Sequence, residues 1–230
     1  MRITLQNDTA ILFFANSAEE DFARKKFDYR AVSLFQDLTQ HTLKTIESTG
    51  LPFFHFTEKE QLGNTFGERF AHAFASLFAM GYTTVISVGN DSPNLTAQHI
   101  LKAQEQVSKG NAVIGPSLDG GCYLMGFHRD SFQKESFKAL PWQSPTLHQE
   151  LLLQLDMQGM ELTLLGILND IDSMGDVKRL SNYIKTVSAY WIGLFGTLFN
   201  FGNPKELAPI PIFETHSFST PFNKGSPFRD

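Results

Sequence analysis

The 230-residue chain is 42% hydrophobic and 13% aromatic, a composition that can bury a substantial core and excludes extensive disorder. Its formal net charge of −5 and its pI near 5.8 exclude a general attraction to nucleic acid or anionic lipid, so a small-molecule partner is expected. Cys122 is the single cysteine, which excludes an intramolecular disulfide and fits a cytoplasmic location. We predict neither a secretory signal nor a transmembrane helix.

The first half of the chain alternates strand patterns with helix patterns. A continuous apolar run, TAILFFA at 9–15, is typical of a strand buried on both faces. Apolar residues at three- and four-residue spacings predict helices, and runs rich in β-branched residues predict strands. The predicted order is strand 9–15, helix 28–48, strand 51–57, helix 66–80, strand 82–88, helix 97–108 and strand 112–115.

The second half continues the alternation up to about residue 186. Its predicted elements are strand 122–127, helix 146–157, strand 161–168 and helix 173–185. Such alternation predicts an α/β fold, a Rossmann-like three-layer sandwich whose mostly parallel sheet carries helices on both faces. We expect one nucleotide-sugar-binding domain over 1–186. The proline-rich and aromatic residues 187–230 would form a C-terminal extension, a packing or oligomerisation arm that could support a homodimer.

Acidic residues follow three of the predicted strands, where ligands bind in open α/β sheets. Asp91 stands between Gly89 and Pro93 in a rigid turn, GNDSPNL. Its carboxylate suits a Mg²⁺ or Mn²⁺ ion that also binds nucleotide phosphates. The pattern fits equally well with Asp91 capping the turn that follows.

The other two acidic sites also allow two interpretations. Asp119 lies in GPSLDGG, where Gly120 and Gly121 let the backbone approach a ligand closely or simply permit a tight connection. Asp170 and Asp172 alternate after the last strand. Asp172 could bind a metal together with Asp91 if the fold brings them close, or the two acids could cap the helix predicted from Ser173 and interact with its dipole.

The residues after the first strand are unusual for a phosphate site. They read NSAEED from Asn16 to Asp21, and the three consecutive acids are expected to repel phosphate in a loop. Arg24, Lys25 and Lys26 follow, and they could reach a diphosphate or form a solvated helix face.

Several enzyme classes are excluded by missing patterns. The histidines have no HxxxH or HxH spacing for zinc, and the sequence contains no GxSxG elbow and no GxxxxGK[ST] loop. Cys122 opens a strand beside Gly121 and is interpreted as a small buried residue, not a nucleophile.

Five motifs occur in an order and spacing that identify a family. They are GERFAHAF at 67–74, VGNDSPNLT at 88–96, GPSLDGGCYLMGF at 115–127, LPWQSPTL at 140–147 and NDIDSMGDV at 169–177. Over about residues 9–182 the chain resembles a bacterial family of glycosyltransferase-A-like proteins of unknown function (DUF2064, the radical-SAM/selenodomain-associated transferases). That family is similar to nucleotide-diphospho-sugar transferases and nucleotidyltransferases, which use a divalent metal.

The resemblance implies a set of site residues. Asp91 and Asp119 would be catalytic, and Asp91 and Asp172 would bind Mg²⁺ or Mn²⁺. Nucleotide-binding positions would be Asn16, Arg24, Lys26, Gly89, Pro93, Gly120 and Gly121. The chain departs from the family after the first strand, where Asn16 replaces a lysine and Asp21 a glycine, and again at Cys122, where a tyrosine is typical.

Two functions follow from these patterns. The first is a metal-dependent glycosyltransferase or nucleotidyltransferase that acts on a nucleotide sugar or nucleoside triphosphate and an acceptor that the sequence does not specify. The second is an inactive family member that keeps the fold as a binding or scaffolding protein, since acids stand where phosphate should bind.

Overall fold

The chain folds around one six-stranded sheet, seen in a computed structural model that describes residues 7–25, 32–144 and 146–171. The strands are β1 Thr9–Phe14, β2 Phe53–Phe56, β3 Thr84–Val88, β4 Ala112–Pro116, β5 Cys122–His128 and β6 Leu162–Leu164. The helices are α1 Ala18–Lys25, α2 Val32–Glu47, α3 Phe66–Ala79, α4 Ala97–Ser108, α5 Lys134–Lys138 and α6 Leu147–Met157, with a 3-10 turn at Arg129–Ser131.

The sheet has the order β2-β1-β3-β5-β4-β6 and is mostly parallel. β1 pairs in parallel with β2 and β3, and β4 pairs in parallel with β6. β5 runs antiparallel between β3 and β4, because a loop of five residues, 117–121, returns the chain directly from β4. The carboxyl ends of β1, β3, β4 and β6 therefore meet the start of β5 at one edge.

Alternating side chains of the strands bury two separate apolar cores. Along β1, Leu12 faces the core that contains Phe74 of α3, whereas Ile11 and Phe13 face the core that contains Ile100 of α4. All five side chains are fully buried. Since strand residues point to opposite faces in turn, helices cover both faces and the predicted three-layer α/β sandwich is confirmed.

Local signals explain where the long helices begin. Thr65 caps α3, because its Oγ1 accepts the N–H of Glu68 over 3.1 Å and Glu68 reaches back to the N–H of Thr65. Thr96 stands at the N-cap position of α4, and its N–H donates to Nδ1 of His99 over 3.1 Å.

Two local predictions need correction, and two short elements were not predicted. The stretch after β1, predicted as a loop, is helix α1, which begins after Ser17 and places its acids in the first turn, where the helix dipole favours them. α5 and the 3-10 turn were not predicted, because elements this short show no apolar period. β6 covers only Leu162–Leu164, and a single bridge from Ser117 to Leu168 continues its direction.

Some predicted features lie outside the described residues. These are helix 173–185, the C-terminal extension 187–230 with its proposed role in a homodimer, and residues 28–31 at the start of the second predicted element. Within the described ranges, no helix is both long enough and apolar enough to cross a membrane.

Candidate functional site

A cleft opens at the edge of the sheet where the carboxyl ends of the parallel strands meet. Its volume is about 580 Å³, within the range of small-molecule sites. Asp91 after β3, Asp119 after β4 and Asp170 after β6 all contribute to its wall. The lining residues are Phe14, Phe66, Phe70, Ser87, Val88, Gly89, Asp91, Asp119, Gly120, Gly121, Cys122, Tyr123, Met125, Trp142, Gln143, Ser144, Leu147 and Asp170.

The turn that carries Asp91 is joined to the segment after β6. The backbone N–H of Ile171 donates to the carbonyl oxygen of Asp91 over 2.9 Å. The hydroxyl of Ser92 donates to Oδ1 of Asp170. These bonds bring two sequence motifs, GNDSPNL and NDID, together in one cleft. Asp172, the predicted metal ligand, follows Ile171 in the chain but lies outside the described residues.

The GPSLDGG loop is organised by the carboxylate that was predicted to act on a ligand. Oδ1 of Asp119 accepts a hydrogen bond from Oγ of Ser117 at 2.5 Å and another from the N–H of Gly121 at 2.9 Å. Gly120 has a φ of +96°, a backbone conformation that side chains with a β-carbon rarely adopt. Asp119 itself is exposed at the cleft, so holding the loop and facing a ligand are compatible roles.

The two glycines of this loop contribute shape to the cleft. The N–H of Gly120 donates to the carbonyl of Ser117 over 3.1 Å, and the N–H of Gly121 donates to Asp119. Both donors are therefore engaged within the loop. We infer that Gly120 and Gly121 would leave space for a ligand because they lack side chains, and that their amide groups would not bind it.

The acidic residues after β1 were expected to repel phosphate from a loop, but they lie in helix α1 and one of them is buried. Asp21 is only 5% exposed, and its carboxylate accepts amide hydrogen bonds from Asn16 at 2.9 Å and from Asn90 at 3.0 Å. Asn16 follows β1 and Asn90 follows β3, so Asp21 ties helix α1 to both strand ends. The neighbouring Glu19 is exposed. The carboxylate of Asp21 thus has a structural role.

The remaining predicted positions lie at different distances from the cleft. Asn16 and Pro93 are not among its lining residues: the side chain of Asn16 donates to Asp21, and Pro93 is buried. The pKa of His41 in α2 lies below its ordinary value because burial outweighs the opposite effect of hydrogen bonds with the backbone of Leu95 and Pro93. Arg24 belongs to α1. Lys26 lies outside the described residues.

Cys122 lines the cleft but does not have the features of a nucleophile. Burial raises the pKa of its thiol to about 12, and the carboxylates of Asp119 and Asp170 add to the shift. At neutral pH the group is therefore the thiol, the weakly nucleophilic form. Its Sγ lies 3.2 Å from Nε2 of His148. Burial also raises the pKa of the Tyr123 hydroxyl, and the negative charge of Asp170 adds a smaller effect. This hydroxyl donates a hydrogen bond to the carbonyl of Gly166.

Sequence reasoning missed the aromatic side of the cleft. Phe66 and Phe70 belong to the predicted helix 66–80, whose apolar spacing is typical of a face buried in a core, and Trp142 lies in a segment that has no regular period. In the structure these rings, together with Phe14, line the cleft. The motif LPWQSPTL includes Trp142 in the family pattern. The spacing of residues in this motif does not indicate which side chains the indole contacts.

Within the described ranges, a metal ion in the cleft would be held by carboxylates from separate loops. Among the described residues there is no group of three or more histidine, cysteine, aspartate or glutamate side chains arranged to hold an ion. Asp91 and Asp170 nevertheless line one cleft, and both supply hard oxygen atoms. Mg²⁺ is commonly held in this way, by one or two carboxylates with ligand phosphates and water at the remaining positions.

Comparisons with known proteins agree with this architecture. The model of a family described as uncharacterized protein conserved in bacteria (DUF2064) matches residues 29–144. No curated protein matches the sequence at a significant level. Among solved structures, a protein of Desulfovibrio desulfuricans G20, provisionally named a nucleotide-diphospho-sugar transferase, is similar with a TM-score of 0.69 and 23% identity. The match covers 84% of this chain and 95% of that protein, and it confirms the predicted fold.

Two further solved structures are more distantly similar. A cytidylyltransferase from Leptospira borgpetersenii serovar Hardjo-bovis has a TM-score of 0.41 and 11% identity, covering 91% of this chain and all (100%) of that one. Rv0371c of Mycobacterium tuberculosis H37Rv, in complex with manganese, has a TM-score of 0.39 and 12% identity, with coverage of 75% and 97%.

Proposed function

Since the chain belongs to the DUF2064 family of bacterial proteins, we propose that it is a metal-dependent transferase that moves a glycosyl or nucleotidyl group from a nucleotide sugar or nucleoside triphosphate. The observation that carries the proposal is the convergence of Asp91, Asp119 and Asp170 on one cleft at the carboxyl ends of the strands. Open α/β sheets bind their ligands at this edge.

The proposed cation would be held by Asp91 and Asp172, and Asp170 lines the same cleft. The backbone bond from Ile171 to Asp91 supports this arrangement, because it joins the residue before Asp172 to the Asp91 turn. A divalent cation would neutralise the charge that develops on the diphosphate during transfer.

The chain's own residues would position the ligand. The carboxylate of Asp119 would accept a hydrogen bond from a hydroxyl of the substrate, because the loop that Asp119 organises opens onto the cleft. Gly89, Gly120 and Gly121 leave the cleft wall free of side chains beside the acids. Arg24 and Lys26, two of the three consecutive basic residues that follow β1 at 24–26, would serve the diphosphate.

A second candidate is a catalytically inactive family member that binds or scaffolds another molecule. The observation in its favour is that none of the described residues lining the cleft is lysine, arginine or histidine. A nucleotide diphosphate would then depend on a cation, or on basic residues outside the described part, to offset the repulsion by the carboxylates.

A thermal-shift screen distinguishes the two candidates. The full chain is heated with UDP, CTP, UDP-glucose, UDP-N-acetylglucosamine or GDP-mannose, with and without Mg²⁺ or Mn²⁺. If the chain is a transferase, at least one nucleotide stabilises the folded protein only when the metal is present. At a hundredfold excess of this nucleotide over its Kd, the stabilisation is about 2.7 kcal/mol. Stabilisation by no combination would contradict the transferase and leave the binding or scaffolding role.

A further inference from the structure

One side of the cleft is a continuous aromatic wall formed by Phe14, Phe66, Phe70 and Trp142. The ring centroids of Phe14 and Phe70 are 4.7 Å apart, and those of Phe66 and Phe70 are 5.5 Å apart. The indole of Trp142 lies 5.3 Å from both Phe66 and Phe70. These distances are those of packed aromatic pairs, so the rings form one surface.

The wall combines access from the cleft with a fixed position. Phe14, Phe66 and Trp142 are only half-buried, whereas Phe70 beneath them is 7% exposed. Nε1 of Trp142 donates to the carbonyl of Phe137 over 2.9 Å, which fixes the indole. A β-carbon at Gly67 would lie 2.5 Å from Cδ1 of Trp142, so the glycine permits the indole to lie against α3. A prearranged surface loses little conformational entropy when a ligand binds.

The rest of the cleft restricts the charge of the ligand group that meets this wall. Asp91, Asp119 and Asp170 line it, and none of its described lining residues is basic. Carboxylates accept hydrogen bonds and repel anions, so a bare phosphate is disfavoured beside the wall. The fitting group has an apolar C–H face for the rings and several hydroxyl donors for the acids.

We propose that the aromatic wall is the subsite for an uncharged sugar ring, whose C–H face packs on Phe66 and Trp142 while its hydroxyls donate to the carboxylates. The inference rests on the proposed function, in which the same ring belongs either to the sugar of the donor or to the acceptor. A nucleobase would also pack on aromatic rings, but it offers fewer donors and presents carbonyl acceptors to the acids.

Trp142 makes the proposal measurable, because the chain has two tryptophans and the other, Trp191, can be replaced. In a full-length Trp191→Phe protein, the emission of Trp142 is followed with Mn²⁺ present. The ligands are UDP-glucose, UDP-N-acetylglucosamine and GDP-mannose, each compared with UDP or GDP and with the nucleoside alone. Glucose, N-acetylglucosamine and mannose are added separately to the protein with UDP or GDP.

The expected result is a change in emission that requires a sugar. A response to a nucleotide sugar assigns the ring to the donor, and a response to a free sugar assigns it to the acceptor. Equal responses to the nucleoside or to UDP alone would overturn the proposal in favour of base packing. An unchanged emission with every sugar would also overturn it.

Variants test the wall with a readout that is separate from nucleotide binding. By calorimetry, Trp142→Ala and Phe66→Leu are expected to weaken binding of the responding sugar ligand about tenfold, while Trp142→Phe retains most of it and UDP or GDP binding is unchanged. Phe132→Leu changes a half-buried ring outside the cleft and serves as the control. Equal losses for the sugar ligand and for its nucleotide in Trp142→Ala would contradict a sugar subsite. Failure of the wild type to bind any nucleotide would instead count against the proposed function.

Discussion

The backbone N–H of Ile171 donates a hydrogen bond of 2.9 Å to the carbonyl oxygen of Asp91. The two residues are far apart in sequence, and the bond fixes the segment after β6 against the turn after β3. The Ser92 hydroxyl strengthens this junction through its bond to Asp170. The junction therefore brings Asp91 and Asp170, which belong to two separate sequence motifs, to the same cleft.

Replacing Asp21 by alanine is expected to destabilise the fold by about 1–3 kcal/mol, because the amides of Asn16 and Asn90 would lose their shared acceptor. Urea unfolding measures the loss. Glu19→Ala, an exposed change in the same helix, is the control and should cost much less. Equal stabilities of the two variants would show that the buried carboxylate does not hold α1 to the strand ends.

Asp119→Asn separates the charge of this residue from its role in the loop. Asparagine keeps an oxygen that can accept from Ser117 and Gly121, so thermal stability should change little. Loss of the charged acceptor for a substrate hydroxyl should weaken ligand binding by about 1.5–3 kcal/mol, roughly tenfold or more. Full binding by Asp119→Asn, together with weak binding by Asp119→Ala, would assign the residue to loop structure alone.

The contribution of Glu58 to stability at the start of α1 depends on pH. Its carboxylate accepts the N–H of Ser17 over 2.8 Å, and this bond holds the pKa of Glu58 below its ordinary value. The stabilisation is therefore present above the pKa of the unfolded chain, and it is lost as the pH falls through the lowered pKa of the folded state.

A Glu58→Gln variant tests this dependence. Its free energy of unfolding, measured in urea at several pH values from neutral to strongly acidic, should be clearly below that of the wild type at neutral pH. The two should converge in acid. Glu161→Gln, at an exposed position away from α1, controls for the loss of one carboxylate. A constant difference at every pH would contradict the assignment.

The regular elements of the fold could be predicted because their signals are local. The apolar run at β1 and the phenylalanine spacing of α3 each reflect burial against the sheet, so the sequence carries the pattern directly. Helix α1 could not be predicted in this way. It is short and polar, and its position depends on bonds from Asp21 to Asn16 and Asn90, which no sequence period encodes.

The candidate site was predicted only where strands end. Asp91 and Asp119 could be found because each follows a buried strand, and strand ends share one edge. The aromatic wall depends on the way that α3 and the Trp142 segment pack against each other, and the spacing of Phe66 and Phe70 equally fits a buried core. Sequence patterns do not distinguish a ring in the core from a ring beside a cleft.

Calorimetric titration of the full chain and of Asp91→Asn with the nucleotide selected by the thermal-shift screen, in Mn²⁺ and in EDTA, tests the proposed metal site most directly. Asp130→Asn, an exposed change outside the cleft, is the matched control. If Asp91 holds the cation, the wild type and the control bind the nucleotide in Mn²⁺ only, and Asp91→Asn binds it at least about tenfold more weakly. Equal binding in EDTA, or undiminished binding by Asp91→Asn, would contradict a metal-dependent nucleotide site at Asp91.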